Sequence, residues 1–176
     1  KSTLINIIAG LTKKSSGSIS IWGCNQDEQP EKSRSFLGVV PQELNLDPFL
    51  SPSEALEIQA GLFGVPKKMR QTEKILKKVG LNDMKNAYAR TLSGGMRRRL
   101  LMAKALVHNP PILILDEPTA GVDIELREML WAYIFELRKS GTTIILTTHY
   151  LEEAQKVCDQ IGILHKGTLV EYGETK

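Results

Sequence analysis

The sequence predicts an α/β chain in which a mostly parallel sheet carries polar residues at one edge and is interrupted by an inserted helical subdomain. Three observations carry this prediction. Ile112 to Leu115 (ILIL) is continuously apolar and too short for a domain helix, the pattern of a parallel strand covered on both faces. Thr143 to Thr147 (TIILT) repeats that pattern one amphipathic helix later. Between Leu46 and Asn109 the pattern is helical and almost free of strand signals, with sheet-like segments on either side. The expected division is therefore 1–45 as part of a core, 46–109 as the helical subdomain and 110–176 as the rest of the core.

The 176 residues suffice for one domain with a full core, or for a compact core with a smaller lobe. With 41% apolar and 24% charged residues, the composition is that of an ordinary globular chain. The formal net charge of +3 is too balanced to argue for a nucleic-acid partner, and none is expected. Cys24 and Cys158 are far apart and lack metal-ligand spacing, which fits a reduced, cytosolic setting with inert thiols. No apolar run is long enough to span a bilayer, so work at a membrane requires docking on a separate partner or on a segment outside this sequence.

Taken in order, Lys1-Ser2-Thr3 precede Leu4, Ile7, Ile8 and Leu11 at helical spacing and so stand at a helix start. They match the last residues of the phosphate-loop pattern G-x-x-x-x-G-K-[ST]. Gly17 to Gly23 alternates Ile19 and Ile21 on one face, as a half-exposed strand does. Phe36 to Val40 is a second strand, and it ends at Pro41-Gln42. Ser51-Pro52-Ser53-Glu54 is a capping box with proline at the first helical position. A helix is expected over 67–79, with Met69, Thr72, Leu76 and Val79 on one face and Gly80 as its left-handed stop. Its lysines read as a solvated face, and so do at least two of Arg97, Arg98 and Arg99.

Ser93 is a good N-cap, and Gly94 and Gly95 leave the backbone donors of that helix start unshielded, so it attracts anions. Met96, Leu100, Ala103 and Val107 come next at helical spacing, and Pro110 is expected to end the helix. His108, near its end, is expected to contact the last carbonyls. Asp116 and Glu117 arrive at the carboxyl end of the ILIL strand, the edge where open α/β sheets bind ligands. Asp123 can cap the next helix, which carries Leu126, Leu130, Tyr133 and Leu137 inward and has Gly141 as its stop. TIILT, read as a buried strand, is succeeded by His149, then by a helix from Tyr150 to Cys158. The chain closes with a hairpin of Ile161–Leu164 and Thr168–Tyr172, turned by His165-Lys166-Gly167. Gln42, the Asp116-Glu117 pair and His149 each come directly after a strand of one sheet, so one edge collects them, as an active site requires.

With these motifs in this order, the chain resembles the nucleotide-binding domain of ATP-binding cassette (ABC) proteins, from Lys1 to about Gly173. Lys1-Ser2-Thr3 is similar to the end of the Walker A motif, Gln42 to the Q-loop and Leu92-Ser93-Gly94-Gly95 to the signature. Ile112 to Glu117 is similar to Walker B with its adjoining glutamate, Gly121-Val122-Asp123 to the D-loop and His149 to the switch histidine. The segments LSGGMRRRL, DEPTAGVD and TTHYLEEA resemble bacterial exporter ATPase subunits whose membrane domain is a separate polypeptide. Met96 departs from the usual glutamine after the signature glycines. The phosphate-loop glycines, the strand feeding them and the adenine-stacking aromatic would precede Lys1, so the sequence is expected to be a fragment, roughly forty residues short of the family pattern.

The resemblance implies a P-loop NTPase-type core with an inserted helical subdomain, the ABC ATPase fold lacking its N-terminal strands. It implies ATP and Mg²⁺ as ligands, with Ser2, Gln42 and Asp116 at the metal, Asp116 through a water. It implies Lys1 on the β- and γ-phosphates, Thr3 on the α-phosphate, and Glu117 and His149 as the catalytic pair around the attacking water. Ser93, Gly94, Gly95 and Asp123 would meet the nucleotide of a second copy, making a homodimer with a composite site. The implied function is an ATPase powering a membrane exporter through a transmembrane permease subunit, peripheral on the inner face of the cell membrane. Two alternatives stay open: a soluble ABC-class ATPase acting on ribosomes or DNA, and an inactive fragment that as given neither binds ATP well nor hydrolyses it.

Overall fold

A computed structural model describes residues 1–175, apart from the side chain of Leu126. The inward position expected for Leu126 therefore falls outside the described residues. The chain begins with helix α1 (Ser2–Ile8), which buries Ile5. A small antiparallel hairpin comes next, β1 (Ser20–Ile21) with β2 (Cys24–Asn25). Only two residues of the expected 17–23 strand are paired, because Trp22 and Gly23 both adopt positive φ (52° and 77°), the requirement of a tight type I′ turn. Helix α2 (Pro30–Ser35), with proline in its first turn, leads into β3 (Leu37–Val40).

The helical lobe opens with α3 (Pro52–Leu62), where Ser51 and Glu54 form the full reciprocal capping box. The helix expected over 67–79 is shorter than its pattern. Lys67–Met69 is a 3-10 turn, Arg70 is extended, and α4 runs only from Thr72 to Lys78. The break exists because Arg70 turns back to the lobe, donating to the Val65 carbonyl (3.0 Å) and to Glu57 (2.7 Å). Met69 is thereby left 69% exposed, whereas Leu76 and Val79 are buried as expected. Lys67, Lys68, Lys74, Lys77 and Lys78 are exposed.

Helix α5 (Gly94–Ala105) is the pivot of the fold. Leu100, Ala103 and, just past it, Val107 pack with Leu56, Leu76 and Val79 in the core of the lobe. Arg98, Leu101, Met102 and Ala105 recur at i, i+3, i+4 and i+7 and form a second buried face. The last three of these pack with Val40, Leu113 and Leu115 under the sheet. The arginine run is thus not a solvated face: Arg98 is buried and Arg97 and Arg99 are half-buried. Arg99 donates to the carbonyls of Val79 and Gly80. The helix stops at Ala105, ahead of the position that Pro110 set, and Asn109 takes the left-handed conformation (φ 52°). His108 finds its partner across the fold, on the Leu37 carbonyl (3.0 Å), and stacks on Phe63 with ring centroids 3.7 Å apart.

The central sheet has the order β3-β4-β5, all parallel, with β4 (Ile112–Asp116) between β3 and β5 (Thr143–Thr147). Leu113 and Leu115 face α5, and Ile114 joins Ile5 of α1 in a separate cluster on the other side. That is why the strand reads as unbroken apolar sequence. Gly38 lets α5 approach β3: a Cβ there would lie 2.4 Å from the Ala105 carbonyl oxygen. β5, expected to be buried, is half-covered, with Ile145 38% exposed. Among the described residues it pairs with β4 alone.

Helix α6 (Ile124–Lys139) lies between β4 and β5 in the chain and buries Leu130 and Ile134, with Tyr133 and Leu137 half-buried. Gly141 ends it with φ 97°. Helix α7 (Leu151–Val157) precedes the closing hairpin, β6 (Gln160–His165) with β7 (Thr168–Glu174). His165 is the last residue of β6, and Lys166-Gly167 make the turn. Among the described residues, no helix is long and apolar enough to cross a membrane.

Candidate active site

The parallel register sets the site. Val40 pairs with Leu115, and Asp116 with Thr147, so the carboxyl ends of all three strands lie together. Gln42, Asp116, Glu117 and His149 leave the sheet at that edge. Glu117 is the hub. Its Oε2 accepts from Gln42 Nε2 at 3.1 Å and lies 3.4 Å from His149 Nδ1.

Glu117 has φ 48°, a left-handed backbone that costs a non-glycine residue of the order of 1–3 kcal/mol. The conformation is held because the Glu117 N–H donates to both the carbonyl and the hydroxyl oxygen of Thr147, each at 3.1 Å. The Thr147 hydroxyl in turn donates to Asp116 Oδ1. Asp116 is only 6% exposed, so this hydroxyl compensates part of the cost of burying a carboxylate. Thr119, beyond Glu117, donates to Glu153 of α7 at 2.7 Å and ties the loop after β4 to the helix just beyond His149.

Lys1 donates from Nζ to the Thr148 carbonyl, which brings the head of α1 to the residue before His149. Ser2 and Thr3 begin α1 and are exposed. Ser93 caps α5 by accepting from the Met96 N–H at 3.2 Å, and the space where a Gly94 side chain would stand is open. Among the described residues, no hydrogen bond or ion pair joins Ser93, Gly94 or Gly95 to the Glu117 cluster. Asp123 directly precedes α6, and its carbonyl accepts from the Arg127 N–H.

The oxygen-rich residues suit a hard divalent cation. Among the described residues no cluster of three or more His, Cys, Asp and Glu could hold a metal alone. Mg²⁺ takes one or two protein oxygens and completes its shell with water and substrate phosphates. Asp116 keeps Oδ2, and Gln42, with Nε2 turned to Glu117, keeps its amide oxygen. A buried carboxylate, a partly exposed carboxylate on a strained backbone and a histidine make a site able to activate water beside a bound anion.

Two residues of this region escaped the sequence reading. Thr147 closes an apolar strand, and a polar residue at that place was its only signal. Arg98 donates from Nη1 to the carbonyls of Pro41 (3.2 Å) and Gln42 (3.0 Å). Its signal was the phase it shares with Leu101, Met102 and Ala105, hidden by two neighbouring arginines.

A parallel sheet with acidic residues at its carboxyl edge is the arrangement in which open α/β proteins bind their ligands. Comparison with known proteins gives the particular family. The family model described as "ABC transporter" matches residues 1–120. Over 176 residues the chain is 39% identical to the Nod factor export ATP-binding protein I of Cupriavidus pinatubonensis, covering 99% of this chain and 54% of that protein. It is 36% identical over 175 residues to the linearmycin resistance ATP-binding protein LnrL of Bacillus subtilis, covering 98% and 56%. Among solved structures it resembles the ATP-binding subunit of an ABC transporter, with TM-score 0.88, 30% identity, and coverage of 99% of this chain and 73% of that one. It also resembles a dimeric ATP-binding cassette in a post-hydrolysis state bound to ADP and Pi, with TM-score 0.85, 27% identity, and coverage of 99% and 80%. The chain belongs to the ABC transporter family, as part of its ATP-binding domain. It spans little more than half the length of the curated relatives it matches, 54% and 56% for the two above.

Proposed function

We propose that this chain is the catalytic part of an ATPase that powers a membrane exporter, two copies closing over ATP and parting after hydrolysis. One observation carries the reading: the Glu117 carboxylate stands at the carboxyl end of β4 between Gln42 and His149. In this reading residues 1–45 and 110–176 form the nucleotide-binding core and 46–109 the helical subdomain. Export is the stated role of the Nod factor relative, and a dimer with ADP and Pi is the stated state of one structural neighbour.

Each residue then has a task. Glu117 orients and polarises the attacking water, a general-base role worth about 10²–10⁴ in rate. His149, 3.4 Å from that carboxylate, holds the water and the γ-phosphate in line. Lys1 neutralises the β- and γ-phosphates, and Thr3 contacts the α-phosphate. Ser2, Asp116 and the Gln42 amide oxygen would hold Mg²⁺, whose charge would offset that of the phosphates. Ser93, Gly94 and Gly95 offer the open start of α5 to the γ-phosphate on the second copy, with Asp123 at the same interface. The chain sits on the inner face of the membrane by docking on a permease subunit.

Ser93→Arg tests the composite site in the intact protein. It fills the α5 start but leaves Lys1 to Thr3 untouched, so ATP binding should persist while nucleotide-dependent dimers disappear from sedimentation profiles. Normal dimers in that variant would refute the composite arrangement.

A further inference from the structure

Gln42 touches the hub of the site, yet it lies on an irregular segment just past β3 and is itself exposed. Something other than a sheet ladder must fix its direction. The residue before it, Pro41, has no N–H to donate. The two peptide carbonyls flanking the Gln42 Cα, those of Pro41 and Gln42, both accept from one Arg98 nitrogen, at 3.2 and 3.0 Å. Holding both peptide planes fixes φ and ψ between them and therefore the direction of the Cα–Cβ bond. Arg98 is 7% exposed and sits on a helix packed against both the lobe and the sheet, so its grip is referenced to the rigid part of the fold.

We infer that Arg98 is a positioning residue: from the helix opened by Ser93 it sets the Gln42 backbone, and through it the amide that meets Glu117. The inference rests on the ATPase reading for its effect on turnover, but not for its effect on Gln42. A guanidinium suits the task because its planar fork donates in a fixed geometry. Burial pulls the Arg98 pKa down, the sign of a cation that has given up water for these carbonyls. The contact spans the lobe and the core, so Arg98 ties the start of α5 and the Glu117 cluster to one frame.

The test is a double-mutant cycle in the intact protein, with Arg98→Met, Arg98→Lys, Gln42→Ala and the combinations. Arg98→Met should lower kcat for Mg²⁺-dependent ATP hydrolysis about tenfold and leave KM within about twofold, because Lys1, Ser2 and Thr3, assigned to the phosphates and metal, are untouched. In the Gln42→Ala background the same change should alter kcat by less than about twofold, the non-additivity of residues acting as a unit. Arg98→Lys keeps one donor, so it should lose less and also lose its effect beside Gln42→Ala; it is the variant to read if Arg98→Met does not fold. A full effect of either change in the Gln42→Ala background overturns the inference. If the unmodified protein hydrolyses no ATP, the ATPase reading falls alone, and Arg98 is judged by the ¹⁵N-labelled Gln42 side-chain amide. Its resonances should move in Arg98→Lys or Arg98→Met toward their position in Glu117→Ala, and unmoved resonances overturn the inference.

Discussion

Thr147→Val is a near-isosteric change that removes one hydroxyl and two interactions. The hydroxyl donates to Asp116 Oδ1 and accepts from the Glu117 N–H. The second loss is small, because the same N–H also donates to the Thr147 carbonyl at 3.1 Å. The first dominates, since Asp116 is 6% exposed and loses a donor to a buried carboxylate. A hydrogen bond to a charged group contributes about 1.5–3 kcal/mol. At about 2–4 °C of melting temperature per kcal/mol for a domain of this size, the variant should melt about 3–12 °C lower. Thermal unfolding followed by circular dichroism reads this directly, and Thr147→Ser, which keeps the hydroxyl, should recover most of the shift. A Thr147→Val protein melting within about 1 °C of the parent, or a Thr147→Ser protein falling equally far, would refute the role given to this hydroxyl.

The packing and the buried histidine give two further outcomes. Gly38→Ala places a methyl 2.4 Å from the Ala105 carbonyl oxygen, which is backbone and cannot rotate aside. The denaturation midpoint should fall by the equivalent of about 1–3 kcal/mol, the usual cost of overpacking, and an unchanged midpoint would contradict the close approach of α5 to β3. His108 is held below the ordinary histidine value of 6.5, chiefly by burial, which outweighs the opposing bond to Leu37. Its folded pKa lies under its unfolded one, so the unfolded chain binds more protons between them. Stability from neutral His108 is complete above 6.5 and is lost as pH falls below it. His108→Phe keeps a ring on Phe63 and should flatten that acid-side loss in melts taken across the range; an unchanged slope would place the titration elsewhere.

The α/β class and the edge that gathers Gln42, Asp116, Glu117 and His149 were legible because a buried parallel strand writes itself as unbroken apolar sequence and releases polar residues at its end. The capping box at Ser51 and the stops at Gly80 and Gly141 were legible for local reasons, since each is set within a few residues. What was missed depended on distant partners. β5 reads as buried from TIILT, but its cover is a tertiary property, and Ile145 remains partly exposed. The helix expected at 67–79 breaks where Arg70 reaches Val65 and Glu57, contacts that no periodicity encodes. His108 crosses to Leu37 instead of its own helix end. At least two of the three successive arginines read as surface because such a run looks solvated, and nothing within the run singles out Arg98 as the one that shares a buried face with Leu101, Met102 and Ala105.

Mg²⁺-dependent ATP hydrolysis by the intact protein and by its Glu117→Gln variant tests the central proposal most directly. The parent should turn over, and the variant should bind ATP, stay dimeric and lose about 10²–10⁴ in rate, the contribution of a positioned general base. Turnover by Glu117→Gln at the parent's rate would contradict the assignment of the β4 carboxylate as the group that activates water.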